Sequence, residues 1–514
     1  MTRTGAVRIA PGITMGDSVD ADVHLSCDVV VVGSGAGGAT VAAELAAAGM
    51  DVVIVEEGGY HPTESFQTAM GHALRTLYRD GGGSTAIGAP PVLYSEGRCV
   101  GGSTVVNGGM SFRTPEPVLR RWTAESSGLS EEGLRPYFEQ VERRLHVAHQ
   151  DPETVGRDSA LLKAGADTLG WHTIDNLRNQ IHCAGTNNCT LGCPTGAKRS
   201  MLVTSIPRAL AAGARLYADC RVDRVTRDGR RATGVEGRFV NPGGRPGRRL
   251  TVHARLVVVS AGGVQTPALL LRSGFRSPSG QLGRNLTLHP NAKLVAVFDA
   301  PVRGWEGVHQ AYQVREFTDE GILITAVNLP PSLVAMGLPV HGRALGELMR
   351  DYDHMVMAGC LVEDSVTGRV RNLPGLGAQA FYQISDADAA RVVRGIGLTA
   401  ELMFAAGARR ILPPFAGAPV LHGPDDVATL LSRPVPKRSL ELFTVHLMGT
   451  ARMGDDPRRG VVSGSGEFHG ASGLVVADAS ILPGAVGVNP METIVALATR
   501  IAERLIEGRA RFGI

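Results

Sequence analysis

Two short apolar runs near the N-terminus set the first expectation. Val29–Val32 is continuously apolar and β-branched, and Val52–Val55 repeats the pattern. A strand buried on both faces reads this way, because neither side meets water. Between them an Ala-rich stretch ends at Gly49, a residue suited to closing a helix. Arg221–Thr226 and Leu250–Val259 read as further strands around the turn-rich NPGGRPG at 241–247. Met491–Glu507 spaces Ile494, Leu497, Ile501 and Leu505 along one helical face, as a packed terminal helix does. Residues 329–349, LPPSLVAMGLPVHGRALGELM, are apolar and Met-containing. They read either as an ordinary buried helix or as an apolar lid or membrane-surface segment.

The turn after the first strand carries the first candidate chemistry. It reads Gly33-x-Gly35-x-x-Gly38, and Glu56 closes the second strand 23 residues after Gly33. Gly33 suits the tight turn, Gly35 lets the backbone approach a pyrophosphate, and Gly38 lets helix and strand pack closely. The helix N-terminus then faces the phosphates with unpaired N–H groups, and the acid is placed for a ribose diol. The alternative is a Gly-rich turn without a ligand. The motif by itself does not separate FAD from NAD.

Bulk properties narrow the class. A chain of 514 residues exceeds one ordinary core, so two or three domains are expected. Hydrophobic residues at 43% and charged residues at 20% place it among globular proteins. The formal net charge is +3 without a dense basic run, which argues against a nucleic-acid partner. No apolar leader and no run of about 18 apolar residues is present, so a cytoplasmic location is expected. Seven cysteines in so long a chain do not suggest a disulfide scaffold.

Several blocks then fall in order: GRCVGGSTVVNGGMSFRTP at 97–115, VVVSAGGVQTPALLLRSG at 257–274, GRNLTLHP at 283–290, HLMGTARMGDDPRRGVV from His446 and HGASGLVVADASILPGAVGVNP from His469. Together with the N-terminal unit they resemble the glucose–methanol–choline oxidoreductases, a family of FAD enzymes. The likeness runs from about residue 28 to 508 and is weakest between 300 and 440. It implies an α/β fold: a Rossmann-type FAD-binding domain and a substrate domain on an antiparallel sheet. The FAD domain would be discontinuous (22–120, 200–295 and 460–514), with 121–199 and 296–459 forming the substrate domain.

The resemblance also implies roles. His446, in HxxGTxRM, would be the base that takes the hydroxyl proton while hydride moves to flavin N5. An unperturbed imidazole, with a pKa of about 6.5, suits that task. Asn489 occupies the family's second active-site position. Asn489 before Pro490 is also a favourable helix start, and the two readings are compatible. Gly102 and Asn107 are expected near the isoalloxazine, Asp478 and Ala479 near the ribityl–pyrophosphate stretch, and Pro490 beside the cofactor. Members with a histidyl flavin in this block carry His one residue before the motif's Asn. Val106 stands there instead, so dissociable FAD is expected.

Cys183-x5-Cys189-x3-Cys193-Pro groups three of the seven cysteines. The spacing resembles family members in which three thiolates hold a [3Fe–4S] cluster that drains electrons from the flavin. The alternatives are a loop of buried free thiols or, with His182, a strained zinc site. The lead expectation is oxidation of an alcohol, hydrophobic or bulky, with oxygen or another electron acceptor. A lyase and a photoenzyme on the same fold are the competing readings.

Overall fold

The computed structural model describes residues 10–240, 246–336, 338, 340–365 and 368–514. Along the chain the elements that matter here are β1 (Val23–Val32), α1 (Ala36–Ala47), β2 (Val52–Val55), β3 (Arg215–Tyr217), β4 (Pro246–Val259), α2 (Gly262–Arg272), β5 (Asn291–Val297), β6 (Tyr312–Val314), β7 (Ile322–Val327), β8 (Met355–Val362), α3 (Asp386–Ala405), β9 (Leu442–Thr444), β10 (Leu474–Val476) and α4 (Met491–Glu507).

The first sheet draws on three distant stretches of chain. β3, β2, β1, β4 and β10 run parallel, and β4 carries an antiparallel extension through Arg231–Val240 and Cys220–Asp228. Val29–Val32 and Val52–Val55 are buried on both faces, as their unbroken apolar runs require. The strand at 231–240 lies between the two expected at 221–226 and 250–259 and pairs with both. Residues 241–245 of the expected turn lie outside the described residues. α4 buries Leu497, Ile501 and Leu505 in the same core, while Ile494 packs at its edge.

The second sheet is largely antiparallel, with β9, β5, β8, β7 and β6 at its centre. Ala292, Leu294, Ile324 and Cys360 bury one of its faces in the core that includes Val392 and Ile396 of α3. The domain boundaries drawn from sequence shift accordingly. Ser84–Ala86 and Val92–Tyr94 join this second sheet, and the helix Glu131–Leu145 buries Phe138, Val141 and Leu145 in the first core. Met448, Ala451 and Met453 also belong to the first core. Residues 329–349 form two short helices, Pro331–Met336 and Gly342–Leu348, and Val334, Leu338 and Leu348 pack against Val295 and Val297. The buried reading therefore accounts for those side chains; residues 337 and 339 lie outside the described ones. Among the described residues no helix is long and apolar enough to cross a membrane.

Candidate active site

The turn between β1 and α1 is built by glycines in different ways. Gly33 has φ +97°, and a Cβ there would lie 2.3 Å from the Ser260 carbonyl oxygen. A Cβ on Gly38 would meet the Gly33 carbonyl oxygen at 2.1 Å, so this glycine lets helix and strand close together. Gly35 differs. A Cβ there would meet only Gly102 Cα, at 3.9 Å, so the two motifs face each other across a space bounded by bare backbone. Gly35 is also the N-cap of α1 and offers no side-chain cap, leaving the first amides free for an anion. This cradle fits a dinucleotide pyrophosphate. Gly37, not singled out in the motif, is the tightest of the described glycines: its Cβ would sit 1.7 Å from the Ala477 carbonyl oxygen.

Buried carboxylates lock the walls of the cradle. Glu56 accepts hydrogen bonds from Ser34 N (2.9 Å), Ser34 Oγ (2.8 Å) and Gly58 N (2.8 Å), while burial pushes its pKa up. Asp478 accepts from Ser480 N, at the start of the short helix Ala479–Ile481, and from Gly262 N, both at 2.8 Å. It thereby ties the start of α2 to the segment after β10. Burial raises the Asp478 pKa too.

The loop at 101–109 hangs on two buried cations that sequence reasoning did not single out. Lys198 Nζ donates to the carbonyls of Val105 (2.7 Å), Asn107 (2.7 Å) and Cys189 (2.6 Å), and burial lowers its pKa to about 8. Arg178 donates to the carbonyls of Gly108 (2.6 Å) and His309. Asn107 accepts from Gly109 N at 3.2 Å and sets its amide nitrogen 3.0 Å from Met491 Sδ, at the start of α4. Lys198 stands in the GAK run beside the cysteines, the one local hint of its place.

The cysteine cluster departs from expectation. Cys189 Sγ lies 3.6 Å from an Arg178 nitrogen, and Cys193 Sγ is engaged by Thr195 Oγ1 (3.4 Å) and the Lys198 amide (3.5 Å). Burial would raise the Cys193 pKa, but those hydrogen bonds and the Lys198 charge hold it below its ordinary value. Among the described residues no group of three or more His, Cys, Asp or Glu side chains could hold a metal ion. The iron–sulfur and zinc readings of Cys183, Cys189 and Cys193 therefore find no support: a guanidinium engages the Cys189 sulfur, and Thr195 and the Lys198 amide engage that of Cys193.

His446 and Asn489 do come together. Asn489 Nδ2 lies 3.5 Å from His446 Nε2. The cap reading of Asn489 shifts by one residue, since α4 begins at Met491 with Pro490 at the cap and no side-chain capping bond. The Asn489 amide is thus not spent on the helix. His446 is buried, and burial lowers its pKa to about 4.

A second imidazole completes the pair. His289, the His of GRNLTLHP, sets its Nδ1 3.1 Å from His446 Nδ1, with the rings nearly perpendicular at 87°. Its backbone is left-handed, φ 49°, and both the Leu288 and His289 amides donate to Asp364 at 3.0 and 3.1 Å. Gly487 N–H donates to His289 Nε2 at 3.0 Å. That donor requires a lone pair on Nε2, so the His289 proton sits on Nδ1 and points at His446 Nδ1. Neutral His446 would then carry its own proton on Nε2, where it would meet the Asn489 Nδ2 donor, so the Gly487 and Asn489 donations belong to opposite directions of the His289–His446 hydrogen bond.

Known proteins share the sequence pattern and the fold. Two family profiles described as GMC oxidoreductase match residues 74–291 and 377–498, and one described as FAD binding domain matches residues 28–77. An uncharacterized GMC-type oxidoreductase of Sinorhizobium fredii is 35% identical, over 96% of this chain and 98% of its own length. A long-chain-alcohol oxidase of Arabidopsis thaliana is 30% identical, over 96% of this chain and 69% of its own. Among solved structures, pyridoxine 4-oxidase from Mesorbium loti superposes with a TM-score of 0.70 at 19% identity, covering 93% of this chain and 99% of that one. A fungal aryl-alcohol oxidase gives 0.66 at 18% identity, covering 96% and 100%.

Proposed function

The chain belongs to the GMC oxidoreductase family and is an FAD-dependent oxidoreductase, and from that premise we propose that it oxidises an alcohol to an aldehyde or ketone at His446 and Asn489. The observation that carries this reading is the 3.5 Å approach of Asn489 Nδ2 to His446 Nε2, with Pro490 rather than Asn489 at the cap of α4. Bound FAD would supply the two-electron acceptor for the hydride that leaves the carbinol carbon. Gly33, Gly35, Gly38, Gly102, Asn107, Glu56, Asp478, Ala479 and Pro490 would line its binding site.

The protein's part is proton and charge handling. The substrate hydroxyl proton passes to His446 Nε2, and the Asn489 amide donates to the oxygen as negative charge develops on it. His446 must first present a lone pair at Nε2, with its own proton on Nδ1. His289 then accepts through Nδ1 and holds its proton on Nε2, which requires the Gly487 N–H contact to open. His289 therefore acts as a positioning residue that governs which face of His446 is basic.

The test is anaerobic addition of a panel of alcohols to the FAD-loaded protein, followed by admission of oxygen. Bleaching of the flavin by an alcohol supports the reading, and a spectrum unchanged by every alcohol contradicts it. Recolouring in oxygen separates an oxidase from an enzyme that needs another acceptor. A lyase would turn over without bleaching.

A further inference from the structure

The inner face of the second sheet, opposite α3, carries a polar row. Register pairs Lys293 with Gly359, Gly359 with Thr325, and Thr325 with Gln313. Directly paired residues in antiparallel strands share a face, so Lys293, Thr325 and Gln313 stand on one side of β5, β7 and β6; Gly359 lies between them, where a Cβ would meet the Ala292 carbonyl oxygen at 2.0 Å. Their neighbours Ala292, Leu294 and Ile324 point the other way, into the core.

Two contacts join this row to the catalytic centre. Gln310 Nε2 lies 3.3 Å from Thr325 Oγ1, and Gln310 Oε1 lies 2.7 Å from where a Cβ on Gly108 would stand, beside Asn107. Asn291 is on the same face as Lys293, one strand repeat or roughly 7 Å away. It donates to the His289 carbonyl at 2.7 Å, and the His289 ring touches His446.

The row is electrostatically incomplete. Arg178 and Lys198, both buried, and the half-buried Lys293 act together on His309, and among the described residues none of the three forms an ion pair with a carboxylate. Arg178 and Lys198 are satisfied by backbone carbonyls. Among the described residues Lys293 meets Gly359 O at 3.3 Å and Thr325 Oγ1 at 3.4 Å and no other hydrogen-bond acceptor, and it retains partial exposure. Gln313 is fully buried, and among the described residues neither its Oε1 nor its Nε2 has a partner. A cation and an amide held this way cost stability unless something binds them.

We propose that Lys293 and Gln313 form a subsite for the carboxylate of the substrate, so that the alcohol oxidised is a hydroxy acid. The proposal rests on the reading of His446 as the site of alcohol oxidation. The Lys293 ammonium pairs with the carboxylate, the Gln313 amide donates to it, and the carbinol end reaches His446. An aliphatic stem would lie along Leu323 and Leu361, which share this face in the Asn291 row.

Two measurements on FAD-loaded protein test this. In the first, hexanoate and decanoate, which carry no hydroxyl, are titrated against the flavin absorbance of the native protein, Lys293→Met and Lys293→Arg. The expected result is saturable binding that weakens about tenfold or more in Lys293→Met and is largely restored in Lys293→Arg. No perturbation, or equal binding by native protein and Lys293→Met, overturns the subsite. In the second, kcat/KM is compared for 6-hydroxyhexanoate and 1-hexanol. The ratio is expected to favour the hydroxy acid and to fall about tenfold or more in Lys293→Met. A native ratio favouring the neutral alcohol, or one that Lys293→Met leaves unchanged, overturns the proposal. If carboxylates bind through Lys293 but no alcohol bleaches the flavin, the anion subsite stands and the oxidation reading fails.

Discussion

At His446 the decisive property is burial. It lowers the pKa of the imidazole to about 4, from an ordinary value near 6.5, because the charged form loses its water. The sign follows directly. Protonated His446 cannot take the hydroxyl proton, so the rate of flavin reduction should rise with pH along a limb centred well below 6.5 and stay flat through neutrality. A limb centred at 6.5 or above would show that the imidazole is solvated in the working enzyme. Asn489 gives a second prediction. Asn489→Asp should slow reduction more than Asn489→His, because a carboxylate opposes charge developing on the substrate oxygen, whereas imidazole can still donate. Since Pro490 and not Asn489 holds the cap position of α4, FAD content should survive both changes. Equal reduction rates in Asn489→Asp and native protein would remove the amide from the chemistry. The HxxGTxRM block marked His446 in the sequence. His289 was printed in GRNLTLHP but not distinguishable there, since its role depends on a left-handed backbone and a contact 157 residues away.

At the scale of elements, the N-terminus of α1 separates two kinds of glycine. Gly35 has φ −72° and ψ −162°, which any residue can adopt, and its Cβ would meet only Gly102 Cα at 3.9 Å. Gly35→Ala should therefore fold with a near-native melting temperature and lose FAD affinity, because the methyl enters the cradle. Gly37→Ala drives a Cβ against the Ala477 carbonyl at 1.7 Å and should destabilise the fold itself, by about 1–3 kcal/mol or more. Melting temperature and flavin content of the two purified variants check this, and equal loss of stability in both would contradict it. The strand–turn–helix was legible because its apolar runs and glycine spacing are local. Gly37 was not, because its neighbour comes from the end of β10, more than 400 residues further on. Lys293 was equally silent, as only strand register sets it in one row with Thr325 and Gln313.

The whole molecule brings three distant stretches of chain into one sheet and builds a second around β5, and the candidate site gathers His289, His446 and Asn489 from segments that flank both. The blocks at 97–115, 257–274 and 446–490 could be recognised in order, which is why the two-part α/β architecture was legible. The strands at 84–94 could not be assigned to the second sheet from sequence, because short strands carry no mark of their partners. Flavin retention is a property of this whole assembly. Val106 rather than His stands before Asn107, so acid precipitation should release intact FAD into the supernatant, and flavin remaining on the precipitated chain would contradict a dissociable cofactor. The most direct test of the central claim is anaerobic stopped-flow reduction of the FAD-loaded enzyme by an alcohol that bleaches it, native against His446→Ala. Reduction is expected to be slower by about 10²-fold or more in His446→Ala with flavin content intact; reduction at a near-native rate would contradict a proton-accepting role for His446.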